Sequence, residues 1–180
     1  MTDGAPSVAA RDDLAGVVDL FDWLTRAELT RALSELAFKQ RTEVDEAAIG
    51  AAIDVAVAEY ALVPAPVEAL SEEGTTPALD ADSAGADEAV ALAVGPAAFP
   101  SLPEDAEDLP HILDLPDRDV DRRVLADAVL ERLSTDAVAA IMERDHERLE
   151  TLADVTYDIE TWAPVDAGGI RERIVSELDG

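Results

Sequence analysis

The 180-residue sequence has no cysteine. That absence excludes disulfide staples, thiolate nucleophiles and zinc-thiolate centres. Asparagine is also missing, and Lys39 is the only lysine beside twelve arginines. No apolar run is long enough to span a bilayer: the longest uncharged one, AVALAVGPAAF at 89–99, is short and interrupted by Gly95-Pro96. The opening MTDGAPSVAARDD has neither a basic n-region nor an apolar h-region. A soluble, cytoplasmic protein without membrane association is therefore expected. The motifs of common catalytic sites are missing as well. DAGGIRERI at 166–174 places two glycines before a helix but has no lysine and no preceding apolar strand, and no G-x-S-x-G occurs. With 41 Asp and Glu among 180 residues, pairs of carboxylates single out nothing. No catalytic residue and no cofactor is assigned, and a non-enzymatic protein is expected.

What is present can build a core. Leu, Ile, Val and Phe number 47 of 180 residues, about 26%, above the range of high-charge disordered chains. Against that stands a net charge of −28, from 41 acidic and 13 basic residues. In dilute buffer such a charge repels itself and opposes compaction, so the protein is expected to need salt. The acid excess with almost no lysine is the composition of salt-in halophilic archaea. It describes the solvent before it describes a partner.

Residues 11–63 read as three helices. Leu14, Val17, Val18, Phe21 and Leu24 fall at helical spacing in the first, around 12–23. Thr25-x-x-Glu28 is a capping box for the second, RAELTRALSELAFK, with Leu24 and Leu29 placed as a hydrophobic staple. Asp45 caps the third, whose inward stripe is Ile49, Ile53, Val57 and Tyr60, with Val44 and Ile49 as its staple. Two short extended pieces, YALVPAPV and AVALAVGP, flank a Gly/Pro/Ser/Asp-rich acidic stretch and read as a hairpin with a mobile tip. Three helices followed by a hairpin is the order of a winged helix. GPAAFPSLPEDAEDLPHILDLPD has five prolines and no helical period. It reads as an extended strap able to lie on a domain through Phe99, Leu102, Leu109, Ile112 and Leu113. The remainder is helical, with a break expected at a Ser134/Thr135 cap, an end at Pro164 and a last short helix from Asp166.

The expected fold is therefore mainly α (α+β): a three-helix winged-helix-like unit with a small β-hairpin, plus a C-terminal helical block. Its parts are a disordered tail at 1–10, the winged-helix-like domain at 11–98 with an acidic mobile insert at about 71–88, a Pro-rich connector at 99–117, and the block at 118–180. Three segments, DLFDWLTRAELTRALSELAFKQ, FPSLPEDAEDLPHILDLPDRDVDRR and YDIETWAPV, resemble a haloarchaeal family of conserved proteins of unknown function. The resemblance implies lineage and a cytoplasmic location. It carries over no activity and no site residue.

In a winged helix the third helix reads DNA, but DEAAIGAAIDVAVAEYALV holds four acidic residues and no basic one. Its outward positions Ala47, Ala51, Val55 and Ala58 offer none of the Arg, Lys, Asn or Gln that read base edges. On the second helix Glu28, Arg31, Glu35 and Lys39 are spaced to pair locally, leaving Arg26 and Arg41 as the candidate phosphate contacts. Nucleic acid is thus possible but disfavoured, and a winged-helix transcriptional regulator is the alternative reading. The favoured one is an interaction or scaffold protein. Its small apolar face at Ala47, Ala51, Val55 and Ala58 would meet a protein partner or a second copy, unless the chain's own C-terminal helices cover it. Metal is not expected: DRDVD at 117–121 begins like a calcium loop but has Arg122 at the glycine position, and Glu143-x-x-His146 lacks its second copy. Trp23, Trp162, Tyr60 and Tyr157 lie on apolar stripes without interleaved cations and are expected as core anchors.

Overall fold

The computed structural model describes residues 8–43, 45–79 and 89–180. Tail residues 1–7, the staple residue Val44 and the insert's 80–88, including the expected mobile tip, lie outside the described residues. The chain divides into two compact units, one ending at Val120 and the other spanning Asp121–Gly180.

In the first unit the order is α1 (Val8–Asp19), β1 (Trp23–Thr25), α2 (Arg26–Lys39), α3 (Glu46–Ala58), β2 (Leu62–Pro64), β3 (Leu70–Glu72), β4 (Ala91–Val94), α4 (Leu109–Leu113) and β5 (Arg118–Val120). Strands β1, β4 and β2 form an antiparallel sheet in that spatial order. The order helix, strand, helix, helix, strand and returning strand, with β1 beside β4, is the one expected of a winged-helix-like unit, while β3, between β2 and β4 in sequence, pairs with β5 in a second sheet. Together with the helical second unit this is a mainly helical α+β fold. The capping box forms as the spacing predicts: Glu28 N–H donates to Thr25 Oγ1 at 3.2 Å and Thr25 N–H to Glu28 Oε1 at 2.9 Å. Asp45 accepts from the Ala47 and Ala48 N–H groups and starts α3. Leu24 and Leu29, the staple pair, are both fully buried with Val17, Leu36, Ile53 and Leu62 in one core.

Strand β1 departs from expectation. Trp23 and Leu24 end no helix: α1 stops at Asp19, Asp22 takes a left-handed φ of 67°, and Trp23 pairs with Ala93. The partner strand arrives from distant sequence, so no local pattern announces the pairing. Ala91, Leu92 and Ala93 are buried in the central strand, where small side chains fit between neighbours and packing overrides the poor strand propensity of alanine.

The strap is more ordered than its prolines suggest. It holds a 3₁₀ turn at Ala106–Asp108 and the short α4, with Pro110 in the first turn, where its missing N–H costs nothing. Leu109 and Leu113 enter the core and Ile112 packs against it, whereas Phe99 and Leu102 are exposed. The strap lies on α1: Ser101 N–H donates to Asp12 O at 3.1 Å and Ser101 Oγ to Asp13 Oδ1 at 2.7 Å. Gly16 permits this approach, because a Cβ there would stand 1.9 Å from the Ser101 carbonyl oxygen. Downstream, β5 pairs with β3, Leu70 opposite Val120, so the first unit extends through the connector to residue 120.

The second unit consists of α5 (Arg122–Glu143), α6 (His146–Trp162) and α7 (Gly168–Asp179). The expected break at Ser134/Thr135 is absent. α5 runs through both residues, and Thr135 Oγ1 satisfies itself on the Glu131 carbonyl one turn back. The chain breaks instead at Arg144, in the left-handed region with φ 56°, and Asp145 caps α6. Leu125, Val129 and Leu133 from α5 and Leu149, Leu152, Val155 and Ile159 from α6 are buried, as is Ile174 of α7. Arg171 of α7 bonds Thr156 and Glu160 and stacks over the Tyr157 ring at 3.9 Å. Tyr157 is therefore an exposed stacking platform and not a core anchor, while Trp23 and Tyr60 are fully buried as expected. Among the described residues no helix is long and apolar enough to cross a membrane.

Candidate protein-interaction surface

The third helix presents two adjacent faces. Ile53 and Ala56 are buried and Ile49, Ala52 and Val57 pack against the core, close to the predicted stripe. On the outer side Ala47, Ala51 and Ala58 are exposed and Val55 is half-buried. The carboxylates beside them belong to Glu46, Asp54 and Glu59, and no lysine or arginine lies on the helix. The helix itself supplies no donor for a base edge and no cation for a phosphate; the arginines that reach it, Arg26 on Asp54 and Arg11 on Glu59, come from other helices and are held in ion pairs.

The two candidate phosphate contacts fare differently. Arg26, read from sequence as unpaired, reaches across to α3: its Nη1 pairs with Asp54 Oδ1 at 2.8 Å and its Nη2 donates to the Gly50 carbonyl at 3.0 Å. It clamps α2 to α3, so it has a structural task before any phosphate arrives. Arg41 is exposed, sits at a left-handed φ of 56° after α2, and forms no ion pair among the described residues. The local pairing expected along α2 is superseded too. Glu28 pairs with Arg118, and Lys39 Nζ lies 2.5 Å from Asp108 Oδ2 on the strap. That contact raises the Lys39 pKa and lowers that of Asp108, each stabilising the other's charged form. Sequence spacing identifies which charges are neighbours along a helix, but folding brings partners with better geometry.

Beside α3 lies an open groove of about 710 Å³, walled by α1, α2, α3 and the strap. Leu14, Leu33, Leu36, Ile49, Ala52 and Leu102 supply apolar surface. Asp13, Glu43, Asp45 and Glu104 also line it, and no lysine or arginine does. Sequence reading missed this groove. Its residues come from four separate segments, and only the half-exposed Leu102, named for the strap, was a hint.

The most constrained polar cluster of the unit surrounds Arg118. Its guanidinium makes a bidentate contact with Glu28, Nη1 to Oε1 and Nη2 to Oε2 at 2.9 Å each, while Nε donates to Glu72 Oε2 at 3.1 Å. Nη1 also donates to the Trp23 carbonyl, and the group stacks over the Trp23 ring at 3.8 Å. Burial raises the Glu28 pKa, but hydrogen bonds from Arg118 and the Thr25 N–H outweigh it and hold the carboxyl below its ordinary value. Nearly every Arg118 donor is occupied, so the cluster fastens β1, β3, β5 and α2 together.

Neither metal candidate assembles. Asp121 caps α5, Asp119 accepts from the Val120 N–H, and Arg118 turns into the cluster just described. Glu143 ends α5 and His146 begins α6, so the left-handed turn at Arg144 removes their helical spacing. Among the described residues no three His, Asp or Glu side chains converge as a metal site would require.

A family model described as "Family of unknown function (DUF7109)" matches residues 12–179, and the chain belongs to that family. No curated protein and no solved structure matches it.

Proposed function

We propose that this DUF7109 member is a non-enzymatic interaction or scaffold protein that works in the salt-rich cytoplasm of a haloarchaeon. The observation that carries the reading is the outer face of α3, where the helix exposes Ala47, Ala51 and Ala58 and carries no lysine or arginine of its own. Small apolar side chains let another backbone approach closely and bury area with little loss of side-chain entropy. The extreme acidity with one lysine supports the halophilic setting, since multimolar ions shorten the Debye length to a few Å. The partner is a second protein or a second copy of this chain.

The winged-helix-like order of elements favours the second reading, a transcriptional regulator. Fluorescence anisotropy with pooled genomic DNA fragments in molar KCl separates the two. The expected result is no binding at any salt at which the protein stays folded. Binding lost in Arg41→Glu would establish the regulator instead; Arg26 is unsuited to this test because it holds Asp54. For the interaction reading, sedimentation and partner capture in molar KCl are compared between the natural chain and Ala51→Arg. The added guanidinium leaves an exposed helix position folded but obstructs close approach, so association should fall. Association unchanged in Ala51→Arg would remove this face from consideration.

A further inference from the structure

We infer that the groove between α1, α2, α3 and the strap receives a basic amphipathic helix of a partner protein. The inference rests on the interaction reading but uses the neighbouring surface: the groove is lined by Ala48, Ile49 and Ala52 of α3, of which Ala48 stands about 60° around the helix from Ala51 and the other two about 100° or more from Ala47 and Ala51.

Three observations define the occupant. First, the walls are helix faces whose lining residues recur at helical spacing, Leu33, Leu36 and Ala37 on α2 with Gln40 at its C-cap, and Ala48, Ile49 and Ala52 on α3 with Asp45 at its N-cap. Helices satisfy their own backbone groups, and the Glu104 carbonyl on the strap already accepts from Gln40 Nε2 at 3.0 Å. The groove offers no row of free backbone donors and acceptors to an extended chain, so its occupant has to satisfy its own hydrogen bonds, as a helix does. Second, each stripe spans eight residues, roughly 10 Å along the axis, enough for apolar anchors from two turns of a bound helix. Third, the charged side chains that line this apolar floor are carboxylates, with exposed Arg41 standing between Gln40 and Glu43 at one end. Among the described residues Asp13, Glu43, Asp45 and Glu104 line it and no cation does; of the nearby cations Lys39 is held by Asp108 and Arg11 by Glu59, while Arg41 stands at the rim. A neutral or acidic helix would leave these carboxylates partly desolvated without a counter-charge, whereas Lys or Arg flanking the apolar anchors would meet them. A second copy is a poor occupant for the same reason, bringing 41 acidic residues against 13 basic.

The test uses the full chain and two synthetic helices of about four turns with the same leucine pattern, one flanked by lysines and one by glutamates, followed by anisotropy in about 1 M KCl, where distant charges are screened. Ala48→Arg fills and discharges the groove; Ala139→Arg makes the same charge change on an exposed position of α5. The inference predicts that the lysine peptide binds at least tenfold more tightly than the glutamate peptide, and that Ala48→Arg weakens it at least tenfold while Ala139→Arg does not. Should Ala48→Arg fail to fold by circular dichroism, Glu43→Lys with Glu104→Lys on the exposed rim gives the same reading. Equal weakening by both arginine variants would mean general polyanion attraction and overturn the inference. So would equal binding of the two peptides, no binding of either, or a concentration-dependent dimer that Ala48→Arg dissociates. Ala51→Arg in the same titration keeps the two surfaces apart: groove binding that survives it leaves the outer-face reading to stand or fall on its own assay.

Discussion

Arg118 shows how one side chain can organise a unit. Its side chain is 6% exposed and is held by two carboxylates, a carbonyl and an indole face. Removing one member of a buried charge cluster leaves the others desolvated and unpaired, which costs roughly 3–5 kcal/mol. Arg118→Ala should therefore lower the unfolding free energy by about 3 kcal/mol in denaturant titration at fixed KCl. Arg118→Lys should recover only part, because an ammonium cannot reproduce the bidentate fork. Acid tests the same cluster. The folded-state pKa of Glu28 lies below its ordinary value, so its contribution is complete above the ordinary carboxylate range and disappears as pH falls through the lowered value. Glu28→Gln should flatten that acid limb of the stability curve, and an unchanged limb would remove Glu28 from the linkage. None of this was legible in DRDVD, where the eye goes to three alternating aspartates. The residue that matters stands between them, and its partners lie 90 and 46 positions earlier.

At the scale of elements, signals within one helical turn were dependable. The Thr25/Glu28 box, the Asp45 cap and the Leu24/Leu29 staple act over three to five residues, so their partners are known from the sequence itself. A local signal failed where the helix ran on through it or a better partner arrived, and signals that depend on a distant partner failed as well. Ser134/Thr135 resembles a cap but bonds backwards inside α5, and the real break at Arg144 carries no glycine to announce it. Strand β1 and the ordered strap need β4 and the core to exist. The strap supplies a further prediction. Gly16→Ala drives a Cβ into the Ser101 carbonyl, so either α1 or the strap must move. Faster amide exchange at Ser101, whose N–H bonds Asp12 O, and easier proteolysis within residues 99–104 are expected with α1 still helical. Unchanged Ser101 protection would show that the close approach is not what seats the strap.

Across the whole molecule the net charge of −28 opposes compaction through self-repulsion. At about 0.1 M salt the Debye length is about 10 Å and like charges on one surface interact; at about 1 M it is about 3 Å and they scarcely do. Thermal unfolding in a KCl series should show Tm rising steeply up to about 1 M and flattening beyond. A rise confined to multimolar KCl would assign the effect to strengthened apolar burial instead. Charge, core capacity, the lack of thiol chemistry and the starts of α2 and α3 were determined by the sequence alone, because each follows from composition or from contacts within a turn. The sheet order, the Arg118 cluster, the use of Arg26 as a clamp and the apolar groove were decided by tertiary structure. Each joins segments tens of residues apart, and only the packed backbone specifies which of many equivalent carboxylates and leucines meet.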